Sequence, residues 1–218
     1  MPKKVIYTVG HSNHSADDFL RLLQPHGVNC VVDVRSIPAS KYNPQFNKPL
    51  LASFLQEKDI IYLHFGREFG ARHTNTFLHD ENGRVDFEKV RQTEAFRLGV
   101  ARLEEGIEKG YIPALMCAEA NPLDCHRFSM IANYLDEHGY DVRHILKNGQ
   151  IVSQKDLEKE ILKKFAKKLP QPNIFEPNIT REDQLKAAYR LHNNQVGWKG
   201  ELRMENGEWR MENGELRM

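Results

Sequence analysis

The chain has 218 residues, with 31 Lys and Arg against 30 Asp and Glu and a formal charge of +1. At 40% hydrophobic and 28% charged residues it has the make-up of an ordinary globular protein, which excludes disordered and fibrous classes. The charge balance excludes a globally basic nucleic-acid binder but leaves room for a local basic cleft, and no apolar run approaches the ~20 residues of a membrane span.

In chain order, MPKKVIYTVG holds a short apolar run that reads as a first strand (5–10) and not as a secretory signal. A helix over 15–27 follows, with Ser15 as N-cap and Gly27 as stop. CVVDVR (30–35) is a second strand whose unbroken apolar run suits a sheet covered on both faces. After a polar loop (36–48), LLASFLQEKD predicts a helix and IIYLHFG (60–66) a third strand. A helix over 86–109 carries Phe96, Val100, Leu103 and Ile107 on one stripe. IPALMCAE (112–119) is a fourth strand, 126–139 a helix, and DVRHIL (141–146) a fifth strand. This alternation predicts an α/β fold: a mainly parallel sheet of about five strands flanked by helices on both faces.

The Lys-rich segment 154–168 predicts an amphipathic helix that closes the main domain, 1–168. Residues 169–195 read as a proline-rich linker and a helical arm, with Thr180 and Asp183 forming a capping box before a helix over 181–193. From Gly200 the sequence repeats at a period of seven, GELRMEN, GEWRMEN, GELRM. The Asn-Gly pairs and the period-two alternation describe a small three-stranded meander, or a tail that is loosely docked. The three cysteines, Cys30, Cys117 and Cys125, cannot supply a paired disulfide framework, so a reducing, cytoplasmic setting is expected.

In open α/β sheets, ligands bind beyond the carboxyl ends of the strands. Four strand ends carry polar clusters: His11 to His14, Asp33 to Ser36, Arg67 to His73, and Cys117 with Glu119 running on to Cys125-His126-Arg127. Cys125 opens a helix beside Arg127, and both features favour a nucleophilic thiolate. Neighbours one apart on a helix do not face each other, so the expected base for Cys125 is His11 or His14, with His126 and Glu119 as further acid/base candidates. Cys117 is a second candidate thiol. Asp33 and Arg35 share one face of a strand and make either an ion pair or part of an anion site. Arg35, Arg67, Arg72 and Arg127 could together bind phosphate or carboxylate. Lys41, Tyr42 and Phe46 suit stacking on a nucleotide or single strand. Cys117, Cys125 and His126 with His11 offer soft ligands for a loosely held metal, but Cys-x7-Cys-His is no zinc-ribbon spacing. No resident metal or cofactor is expected.

The run TVGHSN, DVRSIPASKYNPQFN, HFGREFGAR and CAEANPLDCHR, taken in order over roughly 5–150, resembles the domain-of-unknown-function family 488. That resemblance implies a fold and a shared polar rim and no established activity. The strand, Cys117, loop and helix order is also similar to rhodanese-like sulfurtransferase and phosphatase domains, which implies an anion cradle after the strand. Loop 118–125 has no glycine and no Cys-x5-Arg spacing, so it departs from that pattern. Two classes of function stay open: an enzyme acting on an anionic substrate, nucleotide or nucleic acid, and a non-catalytic nucleic-acid-binding or accessory module.

Overall fold

A computed structural model describes residues 4–200 together with strands at 202–205 and 208–211. Its centre is a six-stranded sheet built from β1 (Val5–Gly10), β2 (Cys30–Asp33), β3 (Ile61–His64), β4 (Pro113–Cys117), β5 (Asp141–Ile145) and β6 (Ile151–Ser153). The spatial order is β3-β2-β4-β1-β5-β6. Every pair is parallel except β5 with β6, which is antiparallel.

The five expected strands are all present, and β6 is an addition. It is three residues long and follows Asn148-Gly149, where Gly149 has a φ of +82°. Only the glycine of the pair is left-handed, which is the three-residue hairpin loop with glycine in its last position, closed by the Leu146 amide on the Gln150 carbonyl.

Alternation along the strands sorts the core into two layers. Val32, Leu115 and Cys117 face the side covered by α5 (Glu94–Glu108) and α6 (Asn133–Glu137). Val31, Ala114 and Met116 face α1 (Ala16–Leu23) and α2 (Lys48–Gln56). This is the period-two consequence of a strand buried on both faces.

The helices begin where their caps put them. Ser15 accepts from the Asp18 amide to open α1, and Gly27 ends the following turn at a φ of +65°. The expected helix over 86–109 is in fact two, α4 (Phe87–Arg91) and α5, with a four-residue α3 (Gly66–Phe69) earlier in the chain. The break falls at Thr93, whose hydroxyl donates to the Val90 carbonyl and accepts from the Phe96 amide, starting a new helix. The expected helix over 126–139 begins at Arg127 with a π-helical stretch to Ala132 before α6.

The C-terminal arm lies directly on the domain. α7 (Gln154–Phe165) and α8 (Arg181–Val196) share an apolar cluster with Phe128. The Thr180–Asp183 capping box is formed. His192, fully buried on α8, bonds the Leu123 carbonyl at 2.8 Å and the Ser129 hydroxyl at 3.0 Å. The arm therefore braces the loop that carries Cys125. In the repeat, β7 (Leu202–Glu205) pairs antiparallel with β8 (Glu208–Met211), Leu202 opposite Met211. The expected third strand lies outside the described residues. Among the described residues, no helix is long and apolar enough to cross a membrane.

Candidate functional site

Adjacent strands β2 and β4 send their connections in opposite directions, β2 towards β3 and β4 across β1 to β5. A crevice at the carboxyl ends of two such strands is the expected ligand site of an open α/β sheet. A cleft of about 650 Å³ occupies this position, with His11, Arg35, Cys117, Glu119, Cys125 and His126 on its wall. The ladder continues beyond the strands and holds the loops side by side. The His11 amide donates to the Cys117 carbonyl at 2.9 Å, and the Val34 amide to the Met116 carbonyl at 3.0 Å. Gly10 permits this closeness, because a Cβ there would sit 1.8 Å from the Glu119 carbonyl oxygen.

Cys117 ends β4 and Cys125 follows the turn at Pro122–Asp124; both thiols are free. Cys125 has extended backbone, φ −138° and ψ 145°, so it stands outside the helix that starts after His126. The side chains of Cys125 and His126 can therefore meet, contrary to the expectation for consecutive helical residues. His126 Nδ1 lies 3.7 Å from Cys125 Sγ and 3.8 Å from Cys117 Sγ. Its Nε2 faces two carbonyls, Phe69 at 3.1 Å and Val34 at 3.3 Å. A nitrogen between two acceptors carries the hydrogen, so the Nδ1 lone pair is turned onto the sulfurs.

The expected bases are placed differently. His11 donates from Nδ1 to the Ser12 carbonyl at 2.9 Å and accepts at Nε2 from Arg35 at 3.1 Å. Both its nitrogens are used, and burial, aided by Arg35, pushes it down to about 4. His14 is not on the cleft wall.

The two thiols are differentiated by their neighbours. Burial alone would raise the pKa of Cys125. The neighbouring Cys117 thiol and the charges of Arg127 and His126 outweigh it and hold Cys125 well below its ordinary value. The Arg127 amide also donates to its sulfur at 3.4 Å. Cys117 is pushed well up by its closeness to Cys125, by burial and by the charges of Cys125 and Glu119. It donates to Glu119 Oε2 at 3.0 Å. Glu119 is itself raised, by desolvation of its inward carboxylate and by the Cys125 thiolate. Burial lowers His126, but the Cys125 thiolate more than compensates and leaves the imidazole above its usual value.

The expected anion-binding residues divide. Arg35 is on the wall but is gripped by Asp33 through Nε at 2.9 Å and Nη2 at 2.6 Å, and also donates to the Phe46 carbonyl. Asp33 is fully buried and also accepts from Tyr62. It acts as the partner that fixes Arg35 in place. Arg127 is wholly buried and donates to the Glu119 and Ala120 carbonyls at 2.6 and 3.0 Å, shaping the loop. Arg67, Lys41 and Tyr42 are exposed and not on the cleft wall, Tyr42 at 89%, although Lys41 and Tyr42 lie between the lining residues Ser40 and Asn43. Phe46 is a core residue stacked on His11. Of the four arginines, only Arg35 and Arg72 line the cleft.

The wall also includes Val196 and Trp198, which follow from the docking of α8 and which the division at residue 168 leaves out. Their signal was the helical spacing of Leu185, Ala188, Tyr189, His192 and Val196, an apolar stripe that needs a surface to cover it.

No curated protein and no solved structure matches the chain. One protein family matches over residues 15–135, which is more than half of the 218 residues and takes in Arg35, both cysteines of the cleft and His126. On that match the chain belongs to the family described as domain of unknown function DUF488.

Proposed function

We propose that the protein is a thiol-dependent enzyme acting on an anionic, nucleotide-sized substrate. The observation that carries this reading is the pair of sulfurs gathered on the free Nδ1 of His126, whose other nitrogen is pinned by two carbonyls. In this reading Cys125 Sγ attacks an electrophilic centre of the substrate. The proton that Cys125 gives up to the free His126 Nδ1 passes on to the leaving group, and water then releases the thio-linked intermediate, returning its proton to His126. Arg72, exposed on the cleft wall, receives the anionic group at the mouth, beside the scaffold that Asp33 and Arg35 form. The wall itself, without Lys41, Tyr42 and Arg67, is of a size for one nucleotide-sized ligand.

A rhodanese-like mechanism has less support. It needs free backbone amides around an anion, whereas the Leu123, Asp124 and Cys125 amides are bonded within the loop.

The test is the rate of iodoacetamide labelling at Cys125, read by mass spectrometry on metal-free, reduced protein at neutral pH. Labelling about tenfold faster than free cysteine is expected, falling about tenfold in His126→Gln. Labelling slower than free cysteine, and indifferent to His126→Gln, would rule the reading out. Salt-sensitive binding of oligonucleotides without any thiol reactivity would point to the non-catalytic module instead.

A further inference from the structure

We infer that Cys117, Cys125 and His126 form a three-ligand site for a soft divalent cation of the Zn²⁺ type, open on its cleft side. This goes beyond the thiol enzyme reading and needs only the geometry.

One ligand atom from each residue lies within 4.8 Å of the others, and all three residues are buried. Zn–S bonds of about 2.3 Å and Zn–N bonds of about 2.1 Å at tetrahedral angles give an S···N edge of about 3.6 Å and an S···S edge of about 3.8 Å. The two S···N separations here are 3.7 and 3.8 Å. They are long for hydrogen bonds between these atoms but close to the edges of a coordination tetrahedron.

The orientation agrees as well. A ligating histidine typically donates its second N–H to a carbonyl or carboxylate, which fixes the tautomer and aims the other lone pair. His126 does this through Nε2 to Phe69 and Val34. His11, the fourth ligand considered from sequence, is excluded because both its nitrogens are occupied. The fourth position opens onto the cleft beside Glu119, whose carboxylate contacts Cys117. Three protein ligands with one open position is the arrangement of metal sites that hold a water or a substrate. On binding, two metal–thiolate bonds and one metal–imidazole bond form. The two protons carried by the Cys117, Cys125 and His126 group pass to solvent.

The test uses the full chain, reduced and stripped with a chelator. It is titrated with Zn²⁺ against a chromogenic competitor and with Co²⁺ as a spectroscopic probe. One ion per chain, bound at micromolar or tighter affinity, and a thiolate-to-Co²⁺ charge-transfer band are expected. Cys117→Ser and Cys125→Ser should each weaken binding about a hundredfold, and Cys30→Ser should leave it unchanged. A footprint on the unmutated chain removes any dependence on how the variants fold: Zn²⁺ should slow iodoacetamide labelling of Cys117 and Cys125 about tenfold or more. Absence of the charge-transfer band, or binding indifferent to both serine variants, overturns the site. Fast labelling of metal-free Cys125 with no protection by Zn²⁺ overturns it too and leaves the thiol enzyme standing. Protection by Zn²⁺ with sluggish metal-free labelling supports the metal site and removes the enzyme.

Discussion

Two sides of one cleft are built from similar residue types and do opposite things. On the β2 side, Asp33, Arg35 and His11 have their hydrogen-bonding valences filled by one another, by Tyr62 and by carbonyls. On the β4 side, the Nδ1 lone pair of His126 and two sulfurs are turned towards a common point. Both sides gather polar residues at strand ends, so convergence alone does not separate scaffold from reactive centre. The valence left over after neighbours are satisfied does. A group whose lone pairs are used up stabilises the fold, and a group with one held open in a fixed direction can act on something else.

If the β2 side is scaffold, breaking it should show in stability. Asp33→Asn leaves the Arg35 guanidinium, almost fully buried, without its counter-charge. Removing one partner of a buried ion pair costs about 3–5 kcal/mol. Urea denaturation should show a loss of that size, and a loss below about 1 kcal/mol would mean that Arg35 was held for a ligand and not for the fold.

Acid should find His11 on this side and a second buried imidazole, His144, on β5. His11 and His144 are pushed down to about 4 and about 3, first by burial in both cases. His144 lies across β1 and β5, with Thr8 on one nitrogen and Gln154 on the other, both at 2.8 Å. In the unfolded chain both imidazoles take a proton near their ordinary value of 6.5. Their contribution to stability is therefore complete above pH 6.5, declines as the pH falls, and levels off below the folded values. Each adds a slope approaching about 1.4 kcal/mol per pH unit. His144→Gln should remove one of the two slopes, measured as denaturation midpoints between neutral pH and about pH 5. An unchanged slope would mean that His144 is already charged in the folded protein.

The sequence carried these two sides unequally. The strands were legible because CVVDVR and IPALMCAE are unbroken apolar runs, and Ser15 and Thr180 announced their helices as caps. β6 was too short for its own periodicity, and the split at Thr93 depends on one hydroxyl winning the Phe96 amide. For the cleft, residue types at strand ends pointed to the right rim, and Cys117, Glu119, Cys125, His126, His11 and Arg35 do share it. Sequence could not say which imidazole nitrogen was free, because that depends on the Phe69 and Val34 carbonyls, far along the chain. Nor could it show that one extended residue, Cys125, takes the thiol out of the helix and back towards His126.

The β4 side is sharpened by removing a donor instead of a charge. Cys117→Ala takes away the thiol that holds Cys125 as thiolate. Without that neighbour less Cys125 is thiolate at neutral pH, so its labelling should fall, by about tenfold. Global stability should fall only by the modest cost of a small buried side chain, about 1 kcal/mol. A large loss of stability with unchanged labelling would move Cys117 to the scaffold side.

The smallest effect is expected where sequence reasoning placed ligand contacts that geometry does not. Tyr42 and Arg67 are exposed and not on the cleft wall. Surface substitutions of this kind change stability within about 0.5 kcal/mol. Tyr42→Ala and Arg67→Ala should therefore leave denaturation, Cys125 labelling and Zn²⁺ affinity unaltered. Arg72→Ala, by contrast, should weaken the binding of a nucleoside phosphate probed by equilibrium dialysis, because Arg72 stands at the mouth. If Arg67→Ala weakened that binding as much as Arg72→Ala, the ligand would have to extend over the rim past α3, and the cleft would be only one end of a longer binding surface.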